Sequence, residues 1–148
     1  MIKFVFYATS PELFAQEITH IKSLLLMHNA KSVVVTNRTH LESLVPQLNK
    51  KDNVILLFAS SDEELEDLVN IKELFSSIPT ILVLPDDNTK TLQRGMLLHP
   101  LYFMTKHAER SQFSLVVNEL YHIYEDHNNQ SNQTIRSSSM NTMHGAMS

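Results

Sequence analysis

Apolar residues in this chain fall into short continuous runs, separated by segments with a helical repeat. Five runs are rich in β-branched and aromatic residues, which favour strands: 2–7, 32–36, 53–58, 80–84 and 101–104. The runs are continuous rather than alternating, which is typical of strands buried on both faces of a parallel sheet. The pattern therefore predicts five buried parallel strands.

The segments between these runs repeat their apolar residues at helical spacing. Helices are predicted over 11–28, 39–48, 62–76, 88–98 and 109–125, and the last has the most regular apolar stripe. Ser10 followed by Pro11 predicts a capping side chain and a first-turn proline at the start of the first helix. Consecutive strand–helix units wind right-handed and place helices on both faces of the sheet.

The number and order of these units define the predicted fold class. We predict an α/β, flavodoxin-like, doubly wound five-stranded parallel sheet of order 2-1-3-4-5 with five helices. It occupies residues 1–125 as one domain. Residues 126–148 are polar, rich in Asn and Ser, and without periodicity, so we predict a disordered tail there.

Composition excludes several classes of function. The formal net charge of −4 argues against a nucleic-acid partner, because phosphate contacts need clustered Lys and Arg. There is no cysteine, which excludes disulfides, thiolate zinc sites and cysteine nucleophiles. No apolar run is long enough for a membrane span and the N-terminus lacks a signal-peptide pattern, so we expect a cytoplasmic protein without a membrane partner.

Glycine is scarce, which narrows the possible ligands. Only Gly95 and Gly145 occur, so neither a dinucleotide fingerprint nor a P-loop can form. A flavodoxin-like loop at Thr9 and Ser10 could hold the phosphate of FMN through hydroxyl groups. That loop normally contains glycine and this one does not, so our prediction is that no cofactor is bound.

Polar clusters near the predicted strand ends have both a structural and a functional interpretation. SSDEELED (60–67) could be a metal or acid–base cluster, but Ser61 and Glu64 have capping-box spacing at a helix start. PDDN (85–88) could bind magnesium, although a turn is the simpler interpretation. The eight histidines contain no i, i+4 pair, and no glycine-flanked serine supports a hydrolase triad. We predict neither a metal site nor a catalytic residue.

The segment RGMLLHPLYFMTKHAERSQFSLVVNELYHIY resembles the end of a response-regulator receiver domain. In that family a short strand ends in a lysine before an amphipathic last helix. Lys106 matches the lysine, and Phe103 matches the position of the family's switch aromatic residue. The proline that usually follows the lysine is replaced by His107.

The receiver active site is not reproduced. The family places two acidic residues after the first strand, where this chain has Ala, Thr and Ser at 8–10. The phosphate-accepting aspartate falls on Phe58 or Ala59, and the family's Ser or Thr falls on Leu84 or Pro85. Phosphoryl transfer needs a carboxylate nucleophile and a metal that neutralises the phosphoryl oxygens. The resemblance therefore implies a degenerate receiver, a pseudo-receiver.

Without an acid pocket, Lys106 has no phosphate to hold, and Asp86 and Asp87 are its candidate partners on the same edge of the sheet. In receivers the fourth helix, fifth strand and fifth helix form the output and dimerisation face. The residues at the matching positions are Leu97, Leu98, Tyr102, Tyr121 and His122. Several are apolar or aromatic, which is typical of interface cores.

The resemblance implies a non-enzymatic signalling or regulatory module that binds a protein partner, and we expect a homodimer. The alternative is a flavodoxin-like domain that binds an anionic small molecule or FMN near Thr9, Ser10 and Lys106. A third interpretation is a scaffold subunit of a larger enzyme.

Overall fold

A single parallel sheet forms the centre of the structure, a computed structural model that describes residues 2–106 and 111–123. Its strands are β1 Lys3–Ala8, β2 Lys31–Val35, β3 Asn53–Phe58, β4 Thr80–Leu84 and β5 Tyr102–Thr105. Their order is β2-β1-β3-β4-β5, and every neighbouring pair is parallel. The predicted flavodoxin-like sheet is confirmed.

Helices follow each strand in the predicted positions. They are α1 Ala15–Met27, α2 Arg38–Leu44, α3 Asp62–Asn70, α4 Thr89–Met96 and α5, described over 111–123. Short 3-10 turns precede α1 at Pro11–Phe14 and follow α2 and α3 at Val45–Gln47 and Lys72–Phe75. Within the described part of the chain, no helix combines the length and apolarity needed to cross a bilayer.

The sheet separates two hydrophobic cores. On one face, α1 and α5 pack against β1, β3, β4 and β5, with Phe4, Phe6, Ile21 and Val117 among the buried side chains. On the other face lie α2, α3, α4 and the segment that follows α4. Because β1, β3 and β4 are covered on both sides, their side chains are buried almost without interruption, which explains the continuous apolar runs.

The helix starts follow the sequence only in part. Asn37 and Ser61 cap α2 and α3, with side-chain oxygens that accept from the backbone N–H groups of His40 and Glu64. The prediction that Ser10 caps the first helix is wrong. The chain enters a 3-10 turn at Pro11, and the Ser10 side chain makes no capping hydrogen bond.

Gly95 lets α4 approach the sheet closely. A Cβ atom at this position would lie 3.0 Å from one methyl group of Leu82 and 3.1 Å from one of Leu84. The contact is tighter than most side-chain packing allows, so α4 depends on a residue without a side chain at this point.

Candidate functional site

Lys106 lies at the carboxyl edge of the sheet and faces an aromatic ring. Its backbone N–H donates to the carbonyl oxygen of Leu84 over 2.7 Å, which continues the pairing of β5 with β4. Its ammonium nitrogen is 5.5 Å from the centroid of the Phe14 ring, within the range of a cation–π contact. No carboxylate among the described residues pairs with Lys106.

The expected attraction between Lys106 and the acids after β4 is not formed. A carboxylate oxygen of Asp86 instead accepts the backbone N–H of Asn88 over 2.9 Å. This is the local turn that the PDDN sequence favours before α4.

Aromatic side chains pack together at the end of β3. Phe58 ends β3 and is only 1% exposed. Its ring centroid is 5.1 Å from that of Phe14 and 6.1 Å from that of Phe6. In the sheet register Phe58 pairs with Ala8 at the end of β1. The ends of β1 and β3 therefore hold a small apolar residue and a buried ring.

The acidic run after β3 is used to hold the local structure together. Glu64 accepts from the backbone N–H of Ser60 over 3.0 Å and from its hydroxyl over 2.7 Å. The Ser10 hydroxyl donates to the same carboxylate over 3.4 Å, so Glu64 links the loops that follow β1 and β3. The capping box is formed with a shift, since the Glu64 side chain bonds to Ser60 rather than to the N-cap residue Ser61.

Other acids of this run contact α4. Thr91 donates to Asp62 over 3.3 Å, and Arg94 pairs with Glu66 over 3.1 Å. These contacts support the structural interpretation of SSDEELED. No group of three or more potential metal ligands occurs in the described ranges.

The three residues predicted to bind an anion have different surroundings. Thr9 lines a cavity of about 300 Å³ beside β1, whereas Lys106 does not line it. Ser10 is directed to Glu64, whose negative charge would oppose a bound anion. The anion or FMN site at these three residues stays a prediction.

The cavity itself was not predicted from the sequence. It lies at the carboxyl ends of β1, β2 and β3, beside α3. Its lining residues are Tyr7, Thr9, Thr36, Asn37, Arg38, Phe58, Glu64, Asp67, Leu68 and Ile71. The positions of Thr9, Asn37 and the acidic run after separate strands are a signal for such a cavity. A tyrosine inside an apolar run gives no signal that it lines one.

Electrostatics distinguish Tyr7 from the other residues of its strand. Burial raises the pKa of its phenol above the ordinary value, and the carboxylates of Asp67 and Glu64 act in the same direction. The guanidinium of Arg38 opposes the shift. Arg38 is itself held by Glu42, whose hydrogen bond over 2.6 Å raises the pKa of the guanidinium.

Two of the five predicted interface residues belong to the core. Leu98 is 6% exposed and Tyr121 is 7% exposed. The ring of Tyr121 stacks on His28, with centroids 4.1 Å apart, and on Phe4 at 6.1 Å. Both side chains are therefore needed inside the domain and cannot serve as exposed contact residues.

The other predicted interface residues reach the surface. Leu97 and His122 are exposed, and Tyr102 is half-buried with its hydroxyl donating to Glu119 over 2.9 Å. Phe103, predicted only as a receiver-like remnant, is 47% exposed on the edge strand β5. Met96 and Leu101 add further exposed apolar groups on α4 and before β5.

The structure is similar to solved structures of receiver domains and of related proteins. A response regulator from Thermotoga maritima superposes with a TM-score of 0.61 at 11% identity, covering 80% of this chain and 96% of that one. A receiver domain from Rhodospirillum rubrum gives 0.57 at 16% identity, covering 80% and 90%. A Burkholderia thailandensis E264 protein described as a pilus assembly protein gives 0.58 at 12% identity, covering 80% and 97%.

These similarities extend over most of each chain, but the sequences have diverged widely. No family model matches the sequence, and no curated protein has a significantly similar sequence. Identities of this size establish a shared architecture rather than a shared activity. The chain has the fold of a response-regulator receiver domain.

Proposed function

We propose that this chain is a phosphorylation-independent pseudo-receiver: a non-enzymatic signalling or regulatory module that acts by binding protein. Its contact surface is the α4–β5–α5 face, formed by α4, β5, the segment between them and the exposed side of α5. The partner is a second copy of the chain. We expect no cofactor and no nucleic-acid partner, and a cytoplasmic location.

The packing of Phe58 supports the absence of phosphoryl chemistry. A transferred phosphoryl group needs a nucleophile and a cation at the ends of β1 and β3. Here Phe58 is buried against Phe14, and Ala8 lies beside it in the sheet. Lys106 is the remaining charged group of such a site, and its ammonium lies over the Phe14 ring. This aromatic filling is the observation on which the proposal rests.

Exposed apolar groups support the choice of contact surface. Leu97, Leu101 and Phe103 each expose nearly half of their surface, and all three lie on or next to the edge strand β5. An edge strand with apolar side chains is normally covered or protected in a soluble protein. A second copy would bury these groups symmetrically, as a two-fold interface requires.

Sedimentation velocity with and without a phosphodonor tests both parts of the proposal. We expect a concentration-dependent dimer that acetyl phosphate and Mg²⁺ do not alter, with no phosphoryl adduct by intact-mass spectrometry. Phe103→Glu should shift the chain to monomer, because the dimer would bury an unpaired carboxylate from each copy.

Leu26→Glu is the matched control, since Leu26 is 74% exposed on α1 and outside the proposed face. This variant should dimerise like the unmodified chain. A monomer at all concentrations, or a dimer that Phe103→Glu leaves intact, would refute the proposed face. A phosphoryl adduct would show that the edge of the sheet is catalytically competent.

A further inference from the structure

The cavity beside β1 combines an apolar floor with a polar rim. Phe58 and Leu68 are almost completely buried and form its apolar part together with Ile71. Asp67, Arg38 and two threonines contribute polar groups. A volume of about 300 Å³ corresponds to the small end of sites for organic ligands, which combine apolar walls with a few polar groups.

Tyr7 is the unusual residue of this cavity. It is only 5% exposed, yet its hydroxyl has no hydrogen-bond partner among the described residues. The hydroxyl is not among the fully enclosed polar atoms of the described residues, so water can reach it and satisfy it when no ligand is present. Since Tyr7 lines the cavity, a ligand there could replace water as the hydrogen-bond partner of this hydroxyl.

The charges around the cavity determine whether it favours a cationic or an anionic ligand. Arg38 is paired with Glu42, and Glu64 already accepts three hydrogen bonds from Ser60 and Ser10. Asp67 has neither a hydrogen bond nor an ion pair within the described ranges. Arg38 is the single cation of the lining and is attracted by Asp67 as well as by Glu42, so the three carboxylates around it leave the cavity with a net negative charge, which favours a cation over an anion.

We propose that this cavity binds a small organic amine with an apolar body. The ammonium group pairs with the carboxylate of Asp67 and donates to the Tyr7 hydroxyl oxygen. The apolar body packs on Leu68, Ile71 and Phe58. The site lies at the carboxyl ends of β1, β2 and β3, and Lys106 does not line it, although Phe58 is shared with the aromatic cluster over which Lys106 packs. The inference therefore does not depend on the α4–β5–α5 face.

Two probes of similar size and opposite charge test the proposal on the full chain. 2-Phenylethylamine should bind with a dissociation constant of about 0.1–2 mM, an ordinary range for a ligand this small. Phenylacetate, which carries a carboxylate in place of the amine, should bind at least about tenfold more weakly. In NMR titrations the shifted resonances should include the Leu68 and Ile71 methyl groups.

Two substitutions locate the recognition groups. Asp67→Asn should weaken amine binding about tenfold, because it removes the charge but keeps the shape of the side chain. Tyr7→Phe should weaken it about threefold to tenfold through the lost hydroxyl. Asp87→Asn is the matched control, since Asp87 is exposed and does not line the cavity, and it should leave binding unchanged.

Three results would overturn the proposal. The first is the absence of saturable binding by 2-phenylethylamine at millimolar concentration. The second is equal or tighter binding of phenylacetate. The third is amine binding that Asp67→Asn leaves unchanged, or that shifts resonances away from Leu68 and Ile71. Asp67 is exposed, so its substitution tests the site without removing core packing.

Discussion

The contact partner of Lys106 could not be predicted from the sequence, although the need for a partner could. A lysine at the end of a buried strand needs an anion or access to water, and sequence reasoning suggested Asp86 or Asp87. The structure instead places the ammonium over Phe14, a residue from the opposite end of the chain. An aromatic ring can stabilise a cation through its quadrupole, but no local pattern connects the two positions.

A double-mutant cycle measures this contact. We expect Lys106→Gln to destabilise the chain, and the loss to shrink by about 0.5–1 kcal/mol in a Phe14→Leu background. Urea unfolding of the four proteins gives the coupling free energy. Lys90→Gln on the exposed side of α4 is the control and should couple to Phe14→Leu by nearly zero. If Lys106→Gln lowers the free energy of unfolding equally in both backgrounds, the Phe14 ring does not stabilise the lysine.

Tyr7 provides a second prediction at the residue scale. Its pKa lies above 10.0 in the folded chain, chiefly because of burial. Well below pH 10 both folded and unfolded states keep the phenol protonated, so Tyr7 causes no pH dependence there. Between that pH and the folded-state pKa the unfolded state holds fewer protons, and stability falls as pH rises.

Spectrophotometric titration of the unmodified chain and of Tyr7→Phe checks this sign. The difference between the two titration curves is the ionisation of Tyr7, and it should appear above pH 10. The variant should also lose less stability than the unmodified chain across that pH interval. If the phenol that Tyr7→Phe removes titrates at or below pH 10, burial does not raise the pKa of Tyr7.

At the scale of elements, hydrophobic patterning predicted the number, type and order of the strands and helices. All five strands and all five helices lie where the apolar runs and helical repeats placed them. The errors concern helix ends, where few residues decide the outcome. Asn29 and His99 adopt left-handed conformations after α1 and α4, positions at which glycine would be the expected signal. In a chain with so little glycine, that signal is missing.

The close approach of α4 to the sheet gives a prediction for one element. Gly95→Val should destabilise the chain by about 1–3 kcal/mol, because the added atoms would meet the Leu82 and Leu84 methyl groups. Gln93→Val on the exposed side of the same helix is the control, with an effect of roughly 0.5 kcal/mol from helix propensity alone. Thermal and urea unfolding give both values, and equal effects would argue against close packing at Gly95.

At the scale of the whole molecule, the fold was predictable and the candidate sites were not. The parallel sheet follows from the succession of strand–helix units, and its strand order was predicted from the number of units and the size of the domain. The cavity draws its lining from β1, the loop after β2, the end of β3 and α3. The aromatic cluster likewise joins Phe6, Phe14 and Phe58. Such groupings require side-chain directions that periodicity does not supply.

The predicted domain boundary can be tested on the entire chain. Both described cores are built from side chains between Ile2 and Tyr121, so we predict that residues 1–125 fold alone. Removal of residues 126–148 should change the free energy of unfolding by less than about 0.5 kcal/mol and leave the urea m-value unaltered. A large drop in either quantity would show that the removed segment packs against the domain.

The aromatic cluster under Lys106 also limits how this chain could change. Introducing a phosphoacceptor by Phe58→Asp would leave a carboxylate in a space shaped for a ring, bordered by Phe6 and Phe14. Such a carboxylate would be protonated or would open the core, because a buried charge is tolerated only when it is paired. For the pseudo-receiver proposed above, placing a phosphoacceptor at this position would therefore require several simultaneous substitutions, because the packing of the rings opposes it as well.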